Sequence, residues 1–122
     1  MATVNGFFKD ESRDGSVLSV TWEGLNSTDL DGAPVKVAEW ADRTVQMVGT
    51  FDTGTVTMQG SNDGSNWETL TDPLGNNVAL TDEGIKALLE GPLYMRPLLS
   101  SAGASSDVDV IMIMRRNNPM RT

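Results

Sequence analysis

The chain contains neither cysteine nor histidine among its 122 residues. Without cysteine there is no disulfide, no thiolate metal site and no cysteine nucleophile. Without histidine the chain lacks the commonest general base, the Ser-His-Asp triad and the usual zinc and copper ligands. Only carboxylate, lysine, tyrosine or hard-cation chemistry remains. We therefore expect no enzyme, and the sequence indicates no catalytic, cofactor-binding or metal-binding residue.

Long apolar runs are missing as well. No run approaches the ~18 residues that span a bilayer, so we expect no membrane partner. Residues 1–8 do not show a basic segment followed by an apolar one, so we expect no secretory signal. The length suits a single domain with its own hydrophobic core.

Basic residues are scarce, with 9 bases against 17 acids and a net charge of -8. The last acid is Asp109, and Arg115, Arg116 and Arg121 follow it, so the end of the chain is net basic while the rest is net acidic. An acidic body repels phosphate backbones, so we expect no nucleic-acid partner. Solubility explains an acidic surface. The alternative is that the basic end docks on an acidic partner or on the body of a neighbouring copy.

The residues that are present form a pattern of short strands. The segment Ser61-Asn62-Asp63-Gly64-Ser65-Asn66-Trp67 has the turn chemistry of a hairpin and lies between two alternating runs. Asp52-Thr53-Gly54 predicts a second hairpin turn. Residues 107–116 are apolar on both faces in their middle, which indicates a central strand or an interface. Other predicted strands lie at 16–23, 35–38, 44–50, 55–59, 67–70 and 93–99.

One helix is predicted, over residues 81–90. Thr81 is a suitable N-cap, and Asp82 and Glu83 suit the positive end of the helix dipole. Ile85, Leu88 and Leu89 would share one face, and the helix would end before Gly91-Pro92.

These elements predict an all-β fold. We expect a β-sandwich or jelly roll of about seven to eight short antiparallel strands, with the one short helix. Residues 1–15 would form an N-terminal arm or loop, residues 16–116 the β-sandwich domain, and residues 117–122 a C-terminal tail.

Four groups of residues have both a functional and a plain structural interpretation. Asp29-Leu30-Asp31-Gly32 begins like a calcium loop, but Ala38 stands where the loop requires glutamate. The hairpin oxygens at 62–66 serve a turn equally well. The three tryptophans could stack on sugars or pack in the core, and Trp40 has the most polar neighbours. Met112 and Met114 could line an interface or fill the core.

Two resemblances extend this interpretation. Residues 59–70, with Ser61-Asn62-Asp63-Gly64 and Trp67, resemble the hairpin of discoidin-type jelly rolls, many of which bind glycans or lipids. Residues 44–116 are similar to small structural proteins of tailed bacteriophages, including capsid cement or decoration proteins. This similarity rests on the hairpin, Asp72-Pro73-Leu74-Gly75-Asn76, the predicted helix and Leu93-Tyr94-Met95-Arg96-Pro97, in that order.

The phage resemblance implies a virion protein on the capsid exterior, made in the host cytoplasm, that stabilises the assembled shell. Its partners would be the major capsid protein and further copies of itself, as a homodimer or homotrimer. The alternatives are a carbohydrate-binding module and a phage tail or neck component. The candidate contact residues are Phe7, Phe8, Trp40, Met112, Met114, Arg115 and Arg116.

Overall fold

The computed structural model describes residues 3–116, and these form ten strands in two antiparallel sheets. The strands are β1 (Gly6–Asp10), β2 (Val17–Leu25), β3 (Val35–Lys36), β4 (Ala41–Thr50), β5 (Thr55–Ser61), β6 (Glu68–Thr69), β7 (Ala79–Leu80), β8 (Gly84–Ala87), β9 (Tyr94–Ser100) and β10 (Asp107–Arg115). No helix that could cross a membrane is present between residues 3 and 116.

The first sheet, called sheet I, has the order β1-β2-β10-β4-β8, and the second, sheet II, has the order β3-β9-β5-β6 with β7 also paired to β5. Strand β10 lies between β2 and β4, so the prediction of a central strand at 107–116 is confirmed. Apart from β1 and β7, the pairing is nested along the chain. β2 pairs with β10, β3 with β9, β4 with β8, and β5 with β6.

The two sheets share one hydrophobic core, consistent with a β-sandwich. Alternate residues of β2, β4 and β10 contribute one side of this core, and residues of β5 and β9 contribute the other. Trp22 is fully buried there, and its indole Nε1 donates a hydrogen bond to the carbonyl of Ala33 at 3.0 Å. Burying this apolar surface is the main stabilising contribution to such a fold.

The predicted helix at 81–90 is wrong. Residues Gly84–Ala87 form β8, which pairs with β4, and the amide of Leu88 donates to the Arg43 carbonyl at 3.0 Å. A helix of this length is marginal on its own, and Gly84 weakens it further, so pairing with an existing strand wins. Of the three apolar residues assigned to one helix face, Leu88 is buried, whereas Ile85 and Leu89 are exposed.

Two loops also differ from expectation. The turn at Asp52-Thr53-Gly54 does not close a hairpin, because β4 belongs to sheet I and β5 to sheet II. Asp52 and Thr53 adopt positive φ there, at 43° and 66°.

The segment predicted as an arm or loop, residues 1–15, contains β1. The predicted tail at 117–122 lies outside the described residues.

Candidate interaction surface

Strand β1 carries the most exposed aromatic side chains of the described chain. Phe7 is 63% exposed and Phe8 is 51% exposed. β1 pairs with β2 along one side, with Phe7 opposite Thr21 and Phe8 opposite Val20, and no described strand pairs with its other side. An open strand edge with neighbouring apolar side chains is a template for pairing with another chain.

The outer face of sheet I, which points away from the core, continues from Phe7 across all five strands. Residues directly opposite each other in antiparallel strands share a face. The register therefore aligns one row across the sheet: Phe7, Thr21, Ile111, Gln46 and Ile85. A groove of about 330 Å³ lies along the start of this row, lined by Phe7, Phe8, Lys9, Thr21, Glu23 and Ile111. Ile111 and Ile85 belong to this face, and the sequence prediction missed both.

Arg115 and Arg116 lie at the end of β10, near the start of β2 and the start of β4. The Arg116 guanidinium sits 4.7 Å from the ring centre of Trp40 and 3.7 Å from a carboxylate oxygen of Glu39. Arg116 is therefore held by its own chain. Within residues 3–116, Arg115 is exposed and makes no ion pair, so it is the more available of the two cations.

Met112 and Met114 do not belong to this surface. Both side chains are fully buried in the shared core, on the face of β10 opposite to Ile111 and Ile113. The structure removes them from the set of contact residues and leaves core packing as their role. The sequence pattern placed these residues on one face correctly, but it could not show which face of β10 the second sheet covers.

The hairpin at 61–67 is confirmed, since Gln59 pairs with Thr69 and Gly60 with Glu68. The Asp63 carboxylate accepts hydrogen bonds from the amides of Ser65 and Asn66, both at 2.8 Å, and from the Ser61 hydroxyl at 2.9 Å. These hydrogen bonds hold the pKa of Asp63 well below its usual range, and the bonds from the amides of Asn66 and Ser65 have the largest effect. Its oxygens are thus engaged in building the turn.

Two of the tryptophans proposed as sugar platforms each have one ring face covered by an arginine. The Arg96 guanidinium lies 4.2 Å from the ring centre of Trp67, just as Arg116 covers Trp40. The third, Trp22, is buried. Trp40 and Trp67 can therefore each expose at most one ring face to solvent, and Trp22 exposes neither.

A polar hollow of about 400 Å³ lies beside the hairpin and is lined by side chains that include Asn62, Asn66, Glu68, Glu90 and Pro92. Burial raises the pKa of Glu90, but hydrogen bonds from the hydroxyl and amide of Thr71 outweigh it and lower the pKa overall. Glu90 therefore stays ionised and anchored. The sequence singled out the two asparagines only as turn residues and did not connect them with Glu90, which is 24 residues beyond Asn66.

Arg43 is buried behind this hollow. Its Nη1 donates to the Glu90 carbonyl at 3.1 Å and its Nη2 to the Val37 carbonyl at 3.3 Å, while Nε has no partner within residues 3–116. Burial lowers the pKa of Arg43. The guanidinium ties together the segments before β4 and after β8, so its role in the fold is structural.

Within residues 3–116 no group of three acidic side chains is placed to hold a metal ion. Comparison of the chain with known families, curated proteins and solved structures gives no significant match. The resemblance of residues 44–116 to phage structural proteins also loses one of its elements, because residues 84–87 form a strand and not the predicted helix.

Proposed function

We propose that this protein is a structural component of a tailed-bacteriophage virion that binds the outer surface of the capsid and stabilises the assembled shell. The observation that carries the proposal is the open edge of β1, where Phe7 and Phe8 expose 63% and 51% of their surface beside the groove on sheet I. Such an edge serves protein contact and requires no cofactor or catalytic group.

We also propose that the fold is a jelly roll. Its support is the nested pairing of the eight strands other than β1 and β7. The first of the eight pairs with the last, the second with the seventh, the third with the sixth, and the fourth with the fifth. This is a long antiparallel hairpin rolled so that successive pairs alternate between the two sheets. A jelly roll has eight strands in two sheets, built from two Greek keys.

The stabilising effect of such a protein follows from mass action. A ligand that binds the assembled shell and not its separated subunits lowers the free energy of the shell, and each bound copy adds its contribution. Self-association multiplies the contacts that one oligomer makes with the shell. In this proposal Phe7 and Phe8, at the edge of β1, serve self-association. Arg115 and Arg116 contact the shell, with Trp40 holding Arg116 in place.

The location of the protein on particles tests the proposal. Antibody against the chain should label the shell of purified virions from the phage or prophage that encodes it. Label confined to the tail or neck would favour the alternative component of the same fold. Unlabelled particles, with the protein absent from their denatured contents, would contradict a virion role altogether.

A binding measurement then tests the surface. Arg115→Glu should weaken binding to purified shells by about tenfold, since it reverses an exposed charge at the contact. Arg13→Glu makes the same charge change on the exposed loop after β1 and serves as the control. Equal binding by the two variants would exclude the end of β10 from the contact.

Glycan binding is the second candidate, and the polar hollow beside the hairpin is the observation that favours it. Carboxylate and amide groups around a concave site are suited to sugar hydroxyls. Asn66 and Glu68 line this hollow from its exposed side. A glycan array that gives binding in the parent protein and none in Glu68→Gln would support this function, and a blank array would count against it.

A further inference from the structure

Among the described strands at the ends of the two sheets, β1 has the longest unpaired edge. It runs for five residues, whereas β8 has four and β3 and β6 have two each. β1 contains no proline, and it carries two adjacent exposed phenylalanines. Short edge strands are a common protection against pairing with other chains, and β1 lacks it.

The direction of the backbone groups on β1 can be read from its end. The amide of Glu11 donates to the Val17 carbonyl at 2.8 Å, so it points toward β2. The Lys9 carbonyl oxygen lies 3.4 Å from the hydroxyl oxygen of Ser19 in β2, so it also lies on that side. Backbone groups alternate in direction along a strand. The amides and carbonyls of Gly6, Phe8 and Asp10 consequently point to the open edge.

We infer that β1 pairs with β1 of a second copy, antiparallel, about a two-fold axis at Phe8. Only registers that place outward-pointing residues opposite each other can form the ladder. Phe8 opposite Phe8 of the second copy satisfies this requirement and pairs all five residues of the strand. Gly6 then lies opposite Asp10, and Phe7 opposite Lys9.

The neighbouring allowed registers are poorer. Placing Phe8 opposite Asp10 sets the two copies of Lys9 against each other, and like charges directly opposite are destabilising. Placing Gly6 opposite Phe8 pairs only three residues of the strand. In the central register the two Phe8 rings form a cross-strand aromatic pair, and each Lys9 ammonium lies beside a Phe7 ring. The pairing is self-complementary, as a two-fold interface requires.

Charge opposes a second copy less at this edge than over the rest of the surface. The protein carries a net charge of -8, so two copies repel each other over most of their surfaces. Strand β1 contains one base, Lys9, and one acid, Asp10, and is neutral as a unit. Because salt screens charges farther than about 8–10 Å, the local neutrality of the edge governs its self-pairing.

This inference rests on the self-association within the proposed function, and it can be tested without any capsid. Because the chain has no cysteine, each introduced cysteine is unique. Phe8→Cys should form a disulfide-linked dimer under mild oxidation, since hydrogen-bonded pairs have Cα atoms about 5.5 Å apart, within disulfide range. Phe7→Cys should not, because its two copies would lie diagonally, about 7–8 Å apart.

A second variant tests the backbone ladder. Phe8→Pro removes an amide that points to the open edge and leaves the amides that bond to β2 in place. It should raise the dissociation constant of the dimer by about 30-fold or more, as loss of a central contact does. Light scattering of the unmodified chain should give twice its mass of 13.1 kDa. Leu74→Cys, at a site that is 87% exposed in a loop, is the cross-linking control.

A monomeric mass for the unmodified chain at about 100 μM, far above the dissociation constant of a specific interface, would overturn the inference. So would cross-linking at Leu74→Cys or Phe7→Cys that equals that at Phe8→Cys. Circular dichroism first checks that the Cys variants are folded. If Phe8→Pro does not fold, cross-linking of the Cys variants alone tests the pairing of β1. A dimer that fails to bind shells contradicts only the capsid proposal, and a monomer that binds shells contradicts only this pairing.

Discussion

Sheet I and sheet II share one core, but their edges end in different ways. The three central strands of sheet I are long, and β1, at one end of the sheet, has five residues that pair with no other described strand on one side. Sheet II is flanked by strands of two residues, β3, β6 and β7. Its long connections are held by side chains, such as Asp63 and Asp72, that accept amide hydrogen bonds.

The different edges indicate that sheet II contributes mainly to stability and that sheet I provides the surface for interaction. In sheet II the loops satisfy their own polar groups, so that side of the molecule offers little to a partner except the polar hollow. In sheet I the strands satisfy one another in the middle, and the unsatisfied groups are concentrated at the edge. Edges of this kind are where proteins add a strand from another chain.

The largest effect is expected for the two faces of β10. Met112→Ala should lower the free energy of unfolding by about 2–5 kcal/mol, because it leaves a cavity in the core between the sheets. Ile113→Ala, the next residue on the half-buried outer face, should cost about 1 kcal/mol. Urea unfolding at pH 7 measures both. Equal losses would mean that the outer face is covered in solution, and the contrast between the faces would fail.

A backbone comparison follows. Gly49 in β4 has a φ of 126°, and a Cβ there would lie 2.2 Å from the Asp107 carbonyl oxygen. Gly49→Ala should cost about 3 kcal/mol, the upper end of the range for forced backbone conformations. Gly75, in the loop after β6, has a φ of 87° and open space around it. Gly75→Ala should cost only about 1–2 kcal/mol, since left-handed backbone is its sole penalty. A reversed order in thermal unfolding would contradict the assignment.

The turn of sheet II should respond to pH. The pKa of Asp63 is lower in the folded state than in the unfolded state, where it is about 4, so its contribution is fully present above that value. The contribution is lost as pH falls through the folded-state pKa. Asp63→Asn should therefore have an unfolding midpoint at a lower urea concentration than the parent at pH 7. This difference between the two midpoints should shrink below pH 4. Glu23→Gln is the control for lost charge. A gap that does not change with pH would contradict the role of the carboxylate.

Much of the fold could be predicted from alternation. Residues 107–116, with Val108, Val110 and Met112 on one face, have a period of two over enough residues to identify a central strand. The hairpin was equally clear, because Asn-Asp-Gly favours the turn itself. Neither signal depends on distant residues.

The errors arose where a distant partner decides the structure. Residues 81–90 have helical spacing, but β4 offers backbone partners that no local pattern shows, and β8 forms. Phe7-Phe8 has no alternation, so the sequence predicts an arm or loop where β1 forms. The outer row from Phe7 to Ile85 depends on the register of five strands. For the same reason, the apolar face of Met112 could be seen but not assigned to the core.

The smallest effects are expected for the two arginines that cover tryptophans, one on each sheet. Arg96, over Trp67, also donates from Nε to Gln59 at 2.9 Å and lies 3.9 Å from Asp31. The Arg116 guanidinium, over Trp40, has one further partner within residues 3–116, the exposed Glu39. Cation–π contacts at exposed sites contribute about 0.5–1 kcal/mol, and exposed ion pairs add little. Arg96→Ala should thus cost about 1 kcal/mol or slightly more, and Arg116→Ala about 0.5 kcal/mol, in urea unfolding. If Arg116→Ala costs more than Arg96→Ala, the end of β10 is a structural element, and Arg116 loses its place among the contact residues.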